Sequence, residues 1–263
     1  QQDPLSDLEN GVLPEEEIEI VLDSLEKEES NREDSLYNVV SPMRGVIALI
    51  IDDFGYRNDQ ISNGFLELPG NLTYAIIPGH DYSQSFSKKA YDAGYEIVVH
   101  MPMENIGKTY GEEEYVLMSY FQENEIKERI NKSFSHLPEA VGLNNHQGSR
   151  GTADVRIMTI LAHEIKANKK FFVDSRTTRN SVAESTMRKY GVPTNKRDIF
   201  LDNELDEEKI KVQLLKLAAV SERKGIAIGI GHVKSQTLNV LAKEIPILQE
   251  KGFRFEFVSS LVD

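Results

Sequence analysis

IALIIDDFGY, residues 47–56, decides how this chain is read: five apolar residues run straight into two adjacent carboxylates, Asp52 and Asp53. A short apolar run without polar alternation reads as a strand buried on both faces, as in a parallel sheet. Two like charges at its end raise one another's pKa, so something must offset their repulsion. A divalent cation would do so, with one carboxylate as ligand and its neighbour accepting a proton from the water activated there.

Working outward, seven further short apolar runs lie at 72–77, 95–100, 140–145, 170–175, 198–202, 225–230 and 253–258. Between them, segments near 59–68, 83–93, 123–136, 153–168, 180–190, 206–223 and 236–250 read as helices. Strands alternating with helices, without hairpin signals, argue an α/β fold with a parallel sheet. Eight strands with intervening helices fit an irregular (β/α) barrel of about seven to eight parallel strands, with a doubly wound open sheet as the alternative. No short internal repeat of the solenoid kind is present.

The acidity of the chain is local. Residues 1–43 hold thirteen acids against two bases, Lys27 and Arg32, and so carry eleven of the thirteen net negative charges. Pro14, the acids after it, and Ile18, Val21, Leu22 and Leu25 at helical spacing predict a short amphipathic helix within 14–30, followed by a linker. A disordered acidic tail fits the same residues. Residues 44–263 then make up one nearly neutral domain, with nothing that resembles a basic nucleic-acid surface. The chain has no cysteine, which excludes a disulfide scaffold and a thiolate metal site. It shows no signal-peptide pattern and no apolar run of membrane-spanning length.

Most predicted strands end on polar residues: Asp52–Asp53, His100, Asn144–Asn145–His146, Asp174–Ser175, Asp202–Asn203 and His232. Parallel α/β folds gather the C-terminal ends of their strands on one face, where their sites lie, so these residues should converge. One Asp with two His suits a divalent metal such as zinc and leaves positions open for water and substrate. An Asp after a strand also serves as a helix N-cap, a role that fits Asp174, Asp202 and one of the opening pair. His136, at a predicted helix end, and His163, inside an amphipathic stretch, read as structural; His80, after Gly79, borders the site without being a ligand. Gly148 and Ser149, beside His146, permit close backbone approach, either for offering N–H groups to an oxyanion or for a plain tight turn.

In this order the stretches IALIIDDFGY, LTYAIIPG, AGYEIVVHMPME, VGLNNHQGSRGTAD, KFFVDSRTT, IFLDN and IAIGIGHVKSQTL resemble the divergent polysaccharide deacetylase family, over about residues 45–257. The resemblance implies a metal-dependent hydrolase, with zinc the first choice of metal, that removes acetyl groups from amino sugars of a polysaccharide or peptidoglycan. It makes Asp52 the base and Asp53 a metal ligand, with His100 the second. The wider superfamily has another ligand His four residues after the first; here Glu104 stands in that place, and His146 is the third ligand instead. Glu104 is then a ligand, a partner of one, or a substrate contact. His232 corresponds to the general acid. Asn145, Ser149, Asp174 and Arg176 are assigned to substrate contact or to orienting the ligands and the base.

A carbohydrate substrate of this kind implies an extracytoplasmic place, in the periplasm or cell envelope. The chain has no tryptophan to stack on sugars, which leaves Tyr56 and Tyr110 as candidates. Two other classes fit the same residues: a metal hydrolase of another amide or ester, and a binding or scaffold protein on an inactive deacetylase fold, with the acidic helix docking a protein partner.

Overall fold

The structure, a computed structural model, describes residues 42–109 and 111–263. The helix predicted within 14–30, almost all of the acidic segment 1–43, and Tyr110 lie outside the described residues.

The strands are β1 (Gly45–Phe54), β2 (Thr73–Ile76), β3 (Glu96–Met103), β4 (Gly142–Gln147), β5 (Phe171–Asp174), β6 (Thr194–Lys196), β7 (Ile199–Phe200), β8 (Ile226–His232) and β9 (Phe253–Phe255). All pair in parallel, in the order β6-β5-β4-β3-β2-β1-β8-β7, with β9 beside the start of β1. Helices α1 (Gln60–Gly64), α2 (Ser83–Asp92), α3 (Glu123–His136), α4 (Val155–Ala167), α5 (Ala183–Tyr190), α6 (Glu207–Lys224) and α7 (Ser235–Glu250) fill the connections. Side-chain caps start several of them: Asp59 for α1, Asp154 for α4 and Asp206 for α6, each satisfying N–H groups that a helix leaves unpaired.

The two edge strands, β6 and β7, belong to one stretch, Thr194–Phe200. Arg197 N–H bonds Asp174 O at 3.0 Å on one edge, and Asp198 N–H bonds Ile228 O at 2.8 Å on the other. The sheet is therefore closed by a backbone crossing rather than by a strand pair, which makes the barrel irregular and rules out the open sheet. The triplet β6, Thr-Asn-Lys, carries no apolar run and escapes sequence reading; its pairing with β5 creates it.

The lack of alternation in β1 has a simple cause. Ile47, Leu49 and Ile51 face the helix layer, while Ala48 and Ile50 point into the barrel with Ala75, Val98, Val173, Ile228 and Ile230. Both faces are buried, so both are apolar. On β8, Gly229 admits α6: a Cβ there would come 2.5 Å from Leu217 Cδ2. The inward positions end, at the C-terminal mouth, on the polar residues.

Candidate functional site

Neighbouring residues of a strand face opposite sides, so Asp52 and Asp53 should not share a site. Asp52 follows Ala48 and Ile50 on the inward face. Asp53 has a φ of 70°, and the pairing of β1 with β2 slips between Ile51 and Phe54. This bulge turns the second carboxylate to the side of the first, the kind of local strain that collects at functional sites. His100 of β3 faces both, with Nε2 3.5 Å from Asp52 Oδ2 and 3.4 Å from Asp53 Oδ1. His146 of β4 brings Nδ1 to 3.2 Å from the same Asp53 oxygen.

The ligand atoms of Asp53, His100 and His146 all lie within 4.8 Å of one another. Asp53 Oδ1 is buried and completes no well-aligned hydrogen bond. A buried oxygen left in that state calls for a further partner. One oxygen and two imidazole nitrogens around it fit a zinc-like divalent ion with an open position. Burial opposes the charge on Asp53, yet the two imidazoles facing it hold its carboxyl well below the usual range.

Asn144 organises the deepest part of the site. Asp52, His100 and Asn144 are 2%, 2% and 0% exposed, so each polar atom there needs a partner. Asn144 Nδ2 donates to Asp52 Oδ1 at 2.8 Å, and Asn144 Oδ1 lies 2.7 Å from His100 Nδ1. With the amide nitrogen given to Asp52, Asn144 Oδ1 accepts from His100 Nδ1–H, and Nε2 is the ring nitrogen that faces Asp53; burial opposes charge on this imidazole, but Asp52 and Asp53 raise its pKa. Burial pushes the Asp52 carboxyl above its ordinary range and the charge of Asp53 adds to this, against the pull of His100 and His232.

His232 closes β8 level with Asp52, its register partner. Its Nδ1 lies 2.8 Å from Asp202 Oδ1, while Asp202 Oδ2 accepts from His232 N–H at 2.6 Å and from Thr237 Oγ1 at 2.7 Å. Asp202 is thus committed to the histidine and does not cap a helix. Burial disfavours the imidazolium, but the hydrogen bond to Asp202 and the charges of Asp52 and Asp202 raise its pKa to about 9.

Other expected residues sit elsewhere. Glu104 accepts from Ser119 N–H at 2.6 Å and its backbone oxygen takes the N–H groups of Arg150 and Gly151; it ties down the loops on either side and is not in the ligand cluster. Asn145, on the opposite face of β4 from Asn144 and His146, bonds Gln147 O and the N–H of Ser175. The N–H groups of Gly148 and Ser149 are taken by Asn105 Oδ1, and Ser149 Oγ accepts from Ile106 N–H. The loop is a tight turn, with no N–H held out for an oxyanion at those two residues. The carboxylate of Asp174 accepts from Ser181 Oγ at 2.6 Å and from Arg176 N–H at 2.8 Å. It therefore shapes its own turn, and the charge of Arg176 reaches it there. His80 pairs with Glu112 at 2.9 Å. Asn144 was legible in the sequence, since it stands two residues before His146 and shares its face; the role of Asp202 had no local signal.

The chain matches the family model described as divergent polysaccharide deacetylase over residues 49–262. It is 32% identical over 203 residues to the uncharacterized protein YibQ of Escherichia coli K12, covering 77% of this chain and 63% of that relative, so it spans under two thirds of the relative's length. The crystal structure of an uncharacterized protein from Agrobacterium tumefaciens C58 superposes with a TM-score of 0.79 at 21% identity, covering 89% of this chain and 94% of the other. The catalytic domain of a peptidoglycan N-acetylglucosamine deacetylase from Eubacterium rectale superposes with a TM-score of 0.52 at 13% identity, covering 85% and 92%. At these identities the structural matches speak for the fold.

Proposed function

This chain belongs to the divergent polysaccharide deacetylase family, and on that premise we propose that it is a metal-dependent hydrolase removing acetyl groups from N-acetylated amino sugars of a polysaccharide or peptidoglycan. One observation carries the reading. The cluster Asp53, His100 and His146 is flanked by a carboxylate, Asp52, and by an imidazole, His232, whose pKa of about 9 keeps it protonated at neutral pH. A candidate base and a protonated candidate acid thus flank one ligand set.

A divalent metal, zinc in first place, would be held by Asp53, His100 and His146, and when bound supplies Lewis-acid activation of a water and of the acyl carbonyl. Asp52 accepts the water proton, and because Asn144 occupies Oδ1, Oδ2 is the oxygen that receives it. His232 Nδ1 is engaged by Asp202, so Nε2 is the atom that gives its proton to the departing amine as the C–N bond breaks. The products are acetate and a free amino sugar. Residues 44–263 form the catalytic domain in this reading, with the acidic segment as an appendage. Because the Eubacterium rectale deacetylase acts on peptidoglycan N-acetylglucosamine, that substrate class comes first, and an envelope location goes with it. Among the described residues no helix is long and apolar enough to cross a membrane.

The test is acetate release from N-acetylglucosamine polymers by the zinc-loaded chain. Asp52→Ala and His232→Ala should each lower the rate by about 10²–10⁴ with zinc retained. Full activity in either variant refutes the assignment. No acetate from any N-acetylated sugar, with zinc bound, moves the protein to a binding role, and release from other amides or esters alone moves it to another hydrolase class.

A further inference from the structure

A histidine binds a metal only through a ring nitrogen that carries no proton. Which nitrogen carries it is set by the partner of the other one. His146 presents Nδ1 to the cluster, 3.2 Å from Asp53 Oδ1. Its Nε2, on the far side of the ring, lies 3.1 Å from Gln147 Nε2. An amide nitrogen only donates, so His146 Nε2 accepts in this contact. The proton of the neutral ring then sits on Nδ1, on the cluster side.

The way the Gln147 amide is turned follows from backbone groups further along. Gly148 N–H and Ser149 N–H donate to Asn105 Oδ1 at 3.1 and 3.3 Å. Backbone N–H groups cannot become acceptors, so Asn105 keeps its oxygen toward them and its nitrogen toward Gln147. Asn105 Nδ2 donates to Gln147 Oε1, which leaves Gln147 Nε2 for the histidine. Neighbours on a strand face opposite sides; Gln147, at the end of β4, has a φ of 56°, and its amide comes back to His146 at the cost of backbone strain. His100 is held the other way: Asn144 Oδ1 keeps a proton on Nδ1, the nitrogen turned from Asp53. One imidazole thus has its fixed proton away from the cluster, and the other has it toward the cluster.

We propose that Gln147, braced by Asn105, is a latch on the third metal ligand: it holds His146 in the tautomer that a metal cannot use, so that loading requires the amide to let go. That His146 is a ligand rests on the deacetylase reading; the hydrogen bonds that hold its ring do not. For Nδ1 to take an ion it gives its proton to water, and Nε2 takes one up. The new Nε2–H then meets the Gln147 amide nitrogen, donor against donor. Either the amide turns and gives up the bond from Asn105, or the ring turns and gives up the bond from Gln147.

The probe is zinc, on the full chain. Nitrogen NMR of the metal-free chain, with the His146 ring signals identified by their loss in His146→Ala, should show the proton on Nδ1. Gln147→Ala removes the donor without adding charge. Asn105→Asp offers Gln147 Nε2 an acceptor, turns Oε1 to the histidine and should move the ring proton to Nε2. Both variants should raise zinc affinity by about ten-fold, the worth of one hydrogen bond. A merely supporting partner predicts the opposite sign, since losing one lowers metal affinity. A metal-free ring with its proton on Nε2, or zinc affinity unchanged or lowered in both variants, overturns the latch and keeps the metal site. Zinc bound by neither the chain nor either variant overturns the latch and the metal site together.

Discussion

Replacing Asn144 by alanine should loosen the metal cluster without touching a ligand. The side chain makes two hydrogen bonds in a fully buried place, to Asp52 at 2.8 Å and with His100 at 2.7 Å. A hydrogen bond to a charged group contributes about 1.5–3 kcal/mol and a neutral one about 1 kcal/mol. Truncation leaves Asp52 Oδ1 and His100 Nδ1 without partners, so a loss of about 2–4 kcal/mol of stability is expected, or roughly 10 °C in Tm for a domain of this size. His100 also loses the contact that fixes its tautomer, and such outer partners are worth about 10–100-fold in metal affinity. The assay is competition for zinc against a chromophoric chelator, with calorimetric melting in parallel. Asn145→Ala is the control: it removes bonds to Gln147 and Ser175 on the other face of β4, and should lower Tm while leaving zinc affinity within a few-fold of the original. Unchanged zinc affinity in Asn144→Ala, or a larger loss in Asn145→Ala, refutes the assignment of faces and the relay from base to ligand.

Three further outcomes are expected. The pKa of His232, about 9, lies above its ordinary 6.5, so its pair with Asp202 contributes stability that is full below pH 6.5 and is lost as the pH rises through 9; Asp202→Asn should lower this pKa by a unit or more, read by NMR titration of the ring, and an unmoved pKa breaks the argument. Glu104→Gln should release the loops held at Ser119 and Arg150 and lower Tm, yet keep zinc affinity within about three-fold, whereas loss of zinc would make Glu104 a ligand. Zinc at about a thousand times its Kd should raise Tm by on the order of 10 °C, an effect that a chelator reverses and His146→Ala removes; equal melting with and without zinc counts against the three-ligand site.

The alternating strands and helices, the parallel barrel and the polar residues at the C-terminal mouth were all legible in the sequence, because an all-apolar strand is forced by burial on two faces and a parallel sheet gathers its strand ends. So was the convergence of Asp53, His100 and His146 in one cluster. What local pattern could not supply was direction. The step from Asp52 to Asp53 should reverse the side chain, and only the bulge against β2, with Asp53 at a φ of 70°, puts both acids in one site. Asn144 meets Asp52 and His100 only because β3 and β4 pair in the register that sets His100 beside Asn144. Asp202 reads as a helix cap until β8 comes alongside and presents His232 to it. The polar triplet of β6 is a strand only because β5 offers it an edge, and through it the barrel closes. Composition and periodicity record which face of an element is buried, since that preference is written residue by residue. Bulges, registers and long-range hydrogen bonds depend on what another part of the chain supplies, and they exist only once the tertiary fold has brought the partners together.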